Sequence, residues 1–194
     1  MNMIELLRKN RSYRRFGDRA VTEQELNLLI EAASLTASAG NLQQLRFLPV
    51  CGEDCARVFP HLRWAGYLSD WDGPDTGERP TGYIVVLCPK ESEGKYLVGV
   101  DVGIAAQSML LTAGELGLGG CMFASIDRPA LLDTLSLDSE KWAVALVIAL
   151  GEPREQVRIV PVSDGNIKYY RDAEGVHYVP KRTVEVLTIK NKLN

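Results

Sequence analysis

The chain has 194 residues, 46% hydrophobic and 24% charged, the composition of one globular domain (1–194) that needs no disulfide or metal to fold. Lys+Arg 22 against Asp+Glu 25 gives a net charge of −3, which argues against nucleic acid as a partner. The basic residues are unevenly placed: Arg8, Lys9, Arg11, Arg14, Arg15 and Arg19 form an island whose only acid is Asp18, suited to one small anionic partner.

The first residues carry no apolar secretory segment. The most apolar stretches, 102–113 and 142–150, are too short or too interrupted to span a bilayer, so the expectation is a cytoplasmic protein with no membrane partner. Cys51, Cys55, Cys88 and Cys121 read as reduced structural thiols. Cys51-x-x-x-Cys55 near His61 lacks the second ligand pair of a zinc site, so no metal is expected.

In chain order, Met3, Ile4 and Leu7 open a helical pattern. Thr22-Glu23-Gln24-Glu25 is a capping box that starts a helix running to about Leu35, and small residues 36–41 follow as a loop. Phe47–Cys51 reads as a strand and Tyr83–Leu87 as a buried one. Residues 60–80 between them are Pro- and Gly-rich and carry Trp64, Tyr67 and Trp71, the pattern of a lid or binding loop. Trp64, Trp71 and the acids Asp70, Asp72, Asp75 and Glu78 either select substrate or pack and solvate the loop.

From Asp101 a long apolar helix runs to a Gly117 cap, with uncharged residues such as Ile104 and Ser108 on its second face, suited to meeting another subunit. Gly120–Ala124 is a short strand or turn, Asp127-Arg128-Pro129 starts a helix, and Trp142–Leu150 is the central strand. The polar, aromatic stretch 163–180 reads as a docking tail, with Tyr169-Tyr170-Arg171 and His177-Tyr178 as its contacts. Strands and helices do not alternate regularly, so the fold class is α+β.

The sequence lacks a phosphate loop and a nucleophile motif, and Gly117-Leu118-Gly119-Gly120 ends a helix rather than opening one. No catalytic side chain is therefore assigned. Arg11 and Arg14 flank Ser12 at a spacing that can converge two guanidiniums and a hydroxyl on one phosphate, the alternative being a solvated basic face. Lys181-Arg182 adds a second basic pair near the other end.

Arg11-Ser12-Tyr13-Arg14-Arg15-Phe16 resembles the N-terminal signature of the FMN-dependent nitroreductase family. The resemblance extends in order through Ser38-Ala39-Gly40-Asn41-Leu42-Gln43 with Arg46-Phe47, the 101–117 helix with Gly119-Gly120-Cys121, Ala149-Leu150-Gly151-Glu152-Pro153 and Pro180-Lys181-Arg182. Ala37 and Gln44-Leu45 stand where the family has Pro and Pro-Trp, Ala124-Ser125 where many members have Glu-Gly, and Asn10 where a second basic residue is common.

The resemblance implies an α/β/α sandwich with a mostly antiparallel sheet, in an intertwined homodimer with FMN at the subunit interface. It assigns Arg11, Ser12 and Arg14 to the phosphate, ribityl chain and ring edge, and Lys181 and Arg182 to the phosphate. Ser38, Asn41 and Gln43 would reach the flavin from the partner subunit, and Ala124 and Ser125 would lie behind the ring, Ala124 bonding it through its backbone N–H. The implied activity is hydride transfer from NAD(P)H through the flavin to an electron-poor small molecule such as a nitroaromatic, quinone or enone. The alternatives are a flavoenzyme dedicated to one metabolite, and a flavin-binding or storage protein without NAD(P)H turnover.

Overall fold

Asn2 and Thr22 open the first two helices in the same way: each cap side chain accepts the N–H three residues on, and Glu5 and Glu25 bond back to the cap's own N–H. In this computed structural model, which describes residues 2–189, the helices are α1 (Met3–Lys9) and α2 (Glu23–Ser34). Only Leu6 of α1 is buried; Met3, Ile4 and Leu7, which carry its sequence periodicity, face outward. The helix lies with Leu6 over Gly114, where an added Cβ would sit 3.2 Å from Leu6 Cδ1, so its wider apolar stripe points away from this chain's core.

After α2 come β1 (Arg46–Cys51), α3 (Cys55–Val58), β2 (Gly82–Pro89), α4 (Tyr96–Glu115), β3 (Gly119–Phe123), α5 (Arg128–Thr134) and β4 (Trp142–Gly151). The four strands form one sheet in the order β1-β2-β4-β3, antiparallel at every pairing. The interior strands β2 and β4 are apolar on both faces because both faces are covered. Ile84, Val86, Ile148 and Leu150 belong to the core shared with α2 and α4, whereas Tyr83, Val85, Val147 and Ala149 belong to the core shared with α3 and α5. This is the three-layer α+β sandwich expected, with helices on both sides of an antiparallel sheet.

Helix α4 begins at Tyr96, more than a turn before Asp101; no side chain caps its start and Gly99 interrupts the early pattern, so the sequence does not mark that start. At 20 residues, with a mean hydropathy of 1.5 over an 18-residue stretch, it is long and apolar enough, by length and composition, to cross a membrane, unlike its 102–113 segment alone. Part of its apolarity is used in packing on the sheet, where Val98, Val102, Ala105, Ala106, Met109, Leu110 and Ala113 are buried, while Leu97, Val100 and Ile104 stay exposed. The helix ends in a Schellman turn, with Leu118 N–H bonding Ala113 O at 2.8 Å and Gly117 at φ +76°.

The 163–180 stretch is more than a polar tail. Residues beyond β4 form a second sheet, β5 (Val157–Pro161), β6 (Tyr170–Arg171) and β7 (His177–Lys181), in the order β5-β7-β6, followed by α6 (Val184–Leu187). β5 and β7 are parallel, β6 and β7 antiparallel. β6 has only two residues and β7 carries Pro180 within its five, so neither announces itself as a strand in the sequence.

Gly117→Ala forces a Cβ into the left-handed region and should destabilise the chain by about 1–2 kcal/mol in urea unfolding, with the m-value unchanged.

Candidate functional site

The basic island is fastened to the sheet by its backbone. Ser12 bridges Gly120 in parallel and Tyr13 N–H donates to Gly120 O at 3.0 Å, so the segment runs along the β3 edge. Phe16 is fully buried and bridges Pro153, while Gly17 N–H donates to Glu152 O and Arg154 N–H to Arg15 O. The Gly151-Glu152-Pro153 turn is therefore the seat on which the island is clamped.

That clamping turns Arg11, Ser12 and Arg14 toward one cavity of roughly 430 Å³, a size suited to a small ligand. Lys181, Tyr169 and His177 close it from the tail, and Leu110 of α4 with Met122 of β3 adds apolar surface. Among the described residues, three cations line it and no acid does. None of the three is in a salt bridge among the described residues.

Neutral groups hold two of these cations. Arg11 Nη2 donates to Leu7 O at 2.7 Å at the end of α1, and its buried Nε has no partner among the described residues. Arg14, only 8% exposed, lays its guanidinium over the Tyr169 ring at 4.7 Å, with Nη1 3.4 Å from His177 Nε2 and 3.5 Å from Ser12 O. Burial, and then the charges of Arg14 and Arg171, push His177 down to about 4. Behind the cavity, Glu155 accepts the Arg14 backbone N–H with one oxygen and pairs with Arg171 at 3.1 Å with the other. Cys121 lies buried beneath Ser12 and Arg14, and burial pushes its thiol up.

The other sequence-predicted residues lie elsewhere in this chain. Ser38 and Gln43 line a separate cavity of roughly 170 Å³ beside Asp101 and Ala105, on a different turn of α4 from Leu110. Asn41 sits in the same loop, where Gly40, Asn41 and Gln43 all have positive φ. This loop is stapled: Ser38 Oγ accepts the Gln43 N–H at 3.2 Å and the buried Asp101 carboxylate accepts the Ala39 N–H at 2.8 Å. Ala124 and Ser125 are exposed just past β3, their carbonyls taken by Arg128 Nη2 and Arg63 N–H. Arg182 is exposed and outside the cavity lining. A larger groove of roughly 690 Å³ near the start of α4 includes none of the predicted residues.

Glu155, Tyr169, Arg171 and His177 are the site residues that sequence patterning did not assign. Tyr169 and His177, read from sequence as tail-docking groups, dock on their own chain and form part of the cavity wall. The lid resolves similarly. Trp64 packs edge-on against Phe123 at 4.6 Å, Trp71 lies under the Arg171 guanidinium at 4.7 Å, and Glu78 pairs with Arg15 at 3.2 Å. It reaches the cavity wall through Tyr67, whose ring lies 4.9 Å from that of Tyr169.

A model of the nitroreductase family matches residues 7–67 and 79–152. An Archaeoglobus fulgidus protein, provisionally named an NADH dehydrogenase/NAD(P)H nitroreductase, is 26% identical over 158 residues, covering 79% of this chain and 86% of the relative. The Vibrio harveyi NADPH-flavin oxidoreductase is 24% identical over 175 residues, covering 82% of this chain and 69% of its own. A Desulfovibrio desulfuricans protein solved in complex with FMN superposes over 100% of this chain and 99% of its own, with a TM-score of 0.71 and 25% identity.

Removing the Glu155 carboxylate leaves Arg171 with an unpaired, mostly buried charge. Glu155→Ala should cost about 3–5 kcal/mol in urea unfolding, and Glu155→Gln, which keeps an acceptor for the Arg14 N–H, should cost less.

Proposed function

The chain belongs to the nitroreductase family, and we propose that it is a cytoplasmic, homodimeric FMN-dependent oxidoreductase that takes hydride from NAD(P)H and delivers it to an electron-poor small molecule. The observation that carries this reading is the cavity in which Arg11, Arg14 and Lys181 converge with no acid among the described residues. Such a donor set fits a phosphate, and the adjoining Leu110 and Met122 fit a flat ring. The FMN held by the Desulfovibrio desulfuricans protein and the flavin in the name of the Vibrio harveyi relative support the same cofactor.

In this reading Arg11, Ser12 and Lys181 hold the phosphate end, and Arg182 joins them from the adjacent residue. Arg14 stands at the ring edge, where a fixed cation stabilises the negative charge of the reduced ring. When bound, FMN supplies the hydride chemistry itself, which is why no triad, metal or carboxylate dyad is called for. Ala124 and Ser125 back the ring. Ser38, Asn41 and Gln43 complete the partner's site, consistent with their lying beside another turn of α4 than the cavity does. The exposed apolar residues Met3, Ile4 and Leu7 of α1 and Leu97, Val100 and Ile104 of α4 supply surface for the second copy.

Purified protein should bind FMN, elute as a dimer on gel filtration, and bleach anaerobically with NADPH or NADH. Bound flavin that neither nucleotide bleaches would instead mark a storage protein. Arg14→Ala should weaken FMN binding by roughly 1.5–3 kcal/mol, as for loss of a charge-assisted hydrogen bond, measured by quenching of flavin fluorescence. Unchanged affinity would return the basic island to a solvated face.

A further inference from the structure

His177 has no role in the reading above, and it lies outside the stretch matched by the family model. It is nevertheless among the most enclosed polar residues of the chain, 1% exposed. Its backbone is fixed at the centre of the small sheet: it pairs with Val157 of β5 and Arg171 of β6, and its N–H donates to Gln156 O at 2.8 Å. The ring therefore has little freedom to follow Arg14. The constraint runs the other way, from the imidazole to the guanidinium.

The surrounding groups require a neutral ring. Arg14 approaches Nε2 from the island, Arg171 stands on the neighbouring strand, and the Tyr169 ring lies 5.3 Å away. The nearby acid, Glu155, is already committed to Arg171 and to the Arg14 backbone. An imidazolium here would bring a third buried cation between two others. A guanidinium has only N–H donors, so its contact with Nε2 requires that nitrogen to accept, and the ring proton must then sit on Nδ1. Nδ1 has no partner among the described residues, so the ring keeps this orientation without a bond on its far side.

We propose that His177 is the positioning residue for Arg14: a neutral imidazole, protonated on Nδ1, that accepts from Arg14 Nη1 and, with the Tyr169 face, holds the guanidinium at the cavity wall. Its importance for cofactor binding rests on the reading of that cavity as the FMN site, but the contact itself does not. Holding Arg14 with a neutral acceptor leaves the guanidinium charge available to an anion, which a carboxylate at the same place would cancel. It also removes part of the entropy that a free arginine loses on binding.

The test uses the full chain, whose only other histidine is His61. Long-range 1H–15N spectra of the FMN-free protein should show His177 neutral, with its proton on Nδ1, from about pH 8 down to about pH 5, below the ordinary imidazole range. In Arg14→Met, a cationic neighbour and the Nε2 donor are both gone, so the His177 pKa should rise and the tautomer preference should weaken. In FMN titrations, His177→Leu should bind about tenfold more weakly, whereas His177→Gln, which can still accept, should stay within about threefold of the parent. A His177 that titrates near its ordinary value, carries its proton on Nε2, or is unchanged in Arg14→Met overturns the proposal. So does a folded His177→Leu that binds FMN as tightly as the parent. If the parent binds no FMN, the cofactor reading fails while the spectra still decide whether His177 holds Arg14.

Discussion

One buried carboxylate sets where three distant parts of the chain meet. Glu155 lies just after the sheet, accepts the backbone N–H of Arg14 with one oxygen and pairs with Arg171 of β6 with the other. A buried ion pair is no large source of stability, since desolvating two charges offsets most of their attraction. Its consequence here is geometric. With 1% side-chain exposure on Glu155 and 13% on Arg171, neither group can exchange its partner for water without opening the structure. The island, the end of β4 and the tail are thereby held in one register. Arg171 extends the chain of contacts by lying over Trp71, whose ring meets Trp64, which packs on Phe123 of the sheet. The lid is thus referenced to the same carboxylate as the cavity.

The elements legible in the sequence are those whose cause is local. The Thr22–Glu25 box announces α2 because the bonds that start it span three residues. Strands β2 and β4 are evident as apolar runs because both faces are covered. The start of α4 was not legible, since Lys95 makes no capping bond, and α1 misleads because its periodic residues face away from the core that this chain builds. The tail sheet is the clearest case: β6 has two residues and is a strand only through its pairing with β7.

The candidate site divides along the same line. Arg11, Ser12 and Arg14 are visible as a motif because they are neighbours in sequence, and the structure sets them with Lys181 around one cavity. Glu155, Tyr169, Arg171 and His177 act on that motif from more than 140 residues away, through contacts that no spacing rule encodes. Their signal in the sequence was only an excess of aromatic and basic residues in a polar segment, which equally describes a docking tail. Ser38, Asn41 and Gln43 are a legible motif that this chain does not bring to the same cavity.

The distribution of acids around the cavity follows from what the cavity is proposed to hold. Three cations converge there, and self-repulsion opposes their doing so. The simplest relief, a carboxylate on each, would neutralise the field that an anion needs. The chain instead assigns neutral partners to the arginines that face the cavity: the Leu7 carbonyl for Arg11, and the Tyr169 face with the His177 ring for Arg14. Its one nearby buried acid, Glu155, is spent on Arg171 and on a backbone N–H, where it anchors the wall without pairing with a cation that lines the cavity. The residual repulsion is tolerable because Lys181 is exposed and water screens it. Arg11 Nε remains buried and unpaired among the described residues. A cavity arranged this way keeps its positive field for the anion proposed to bind there.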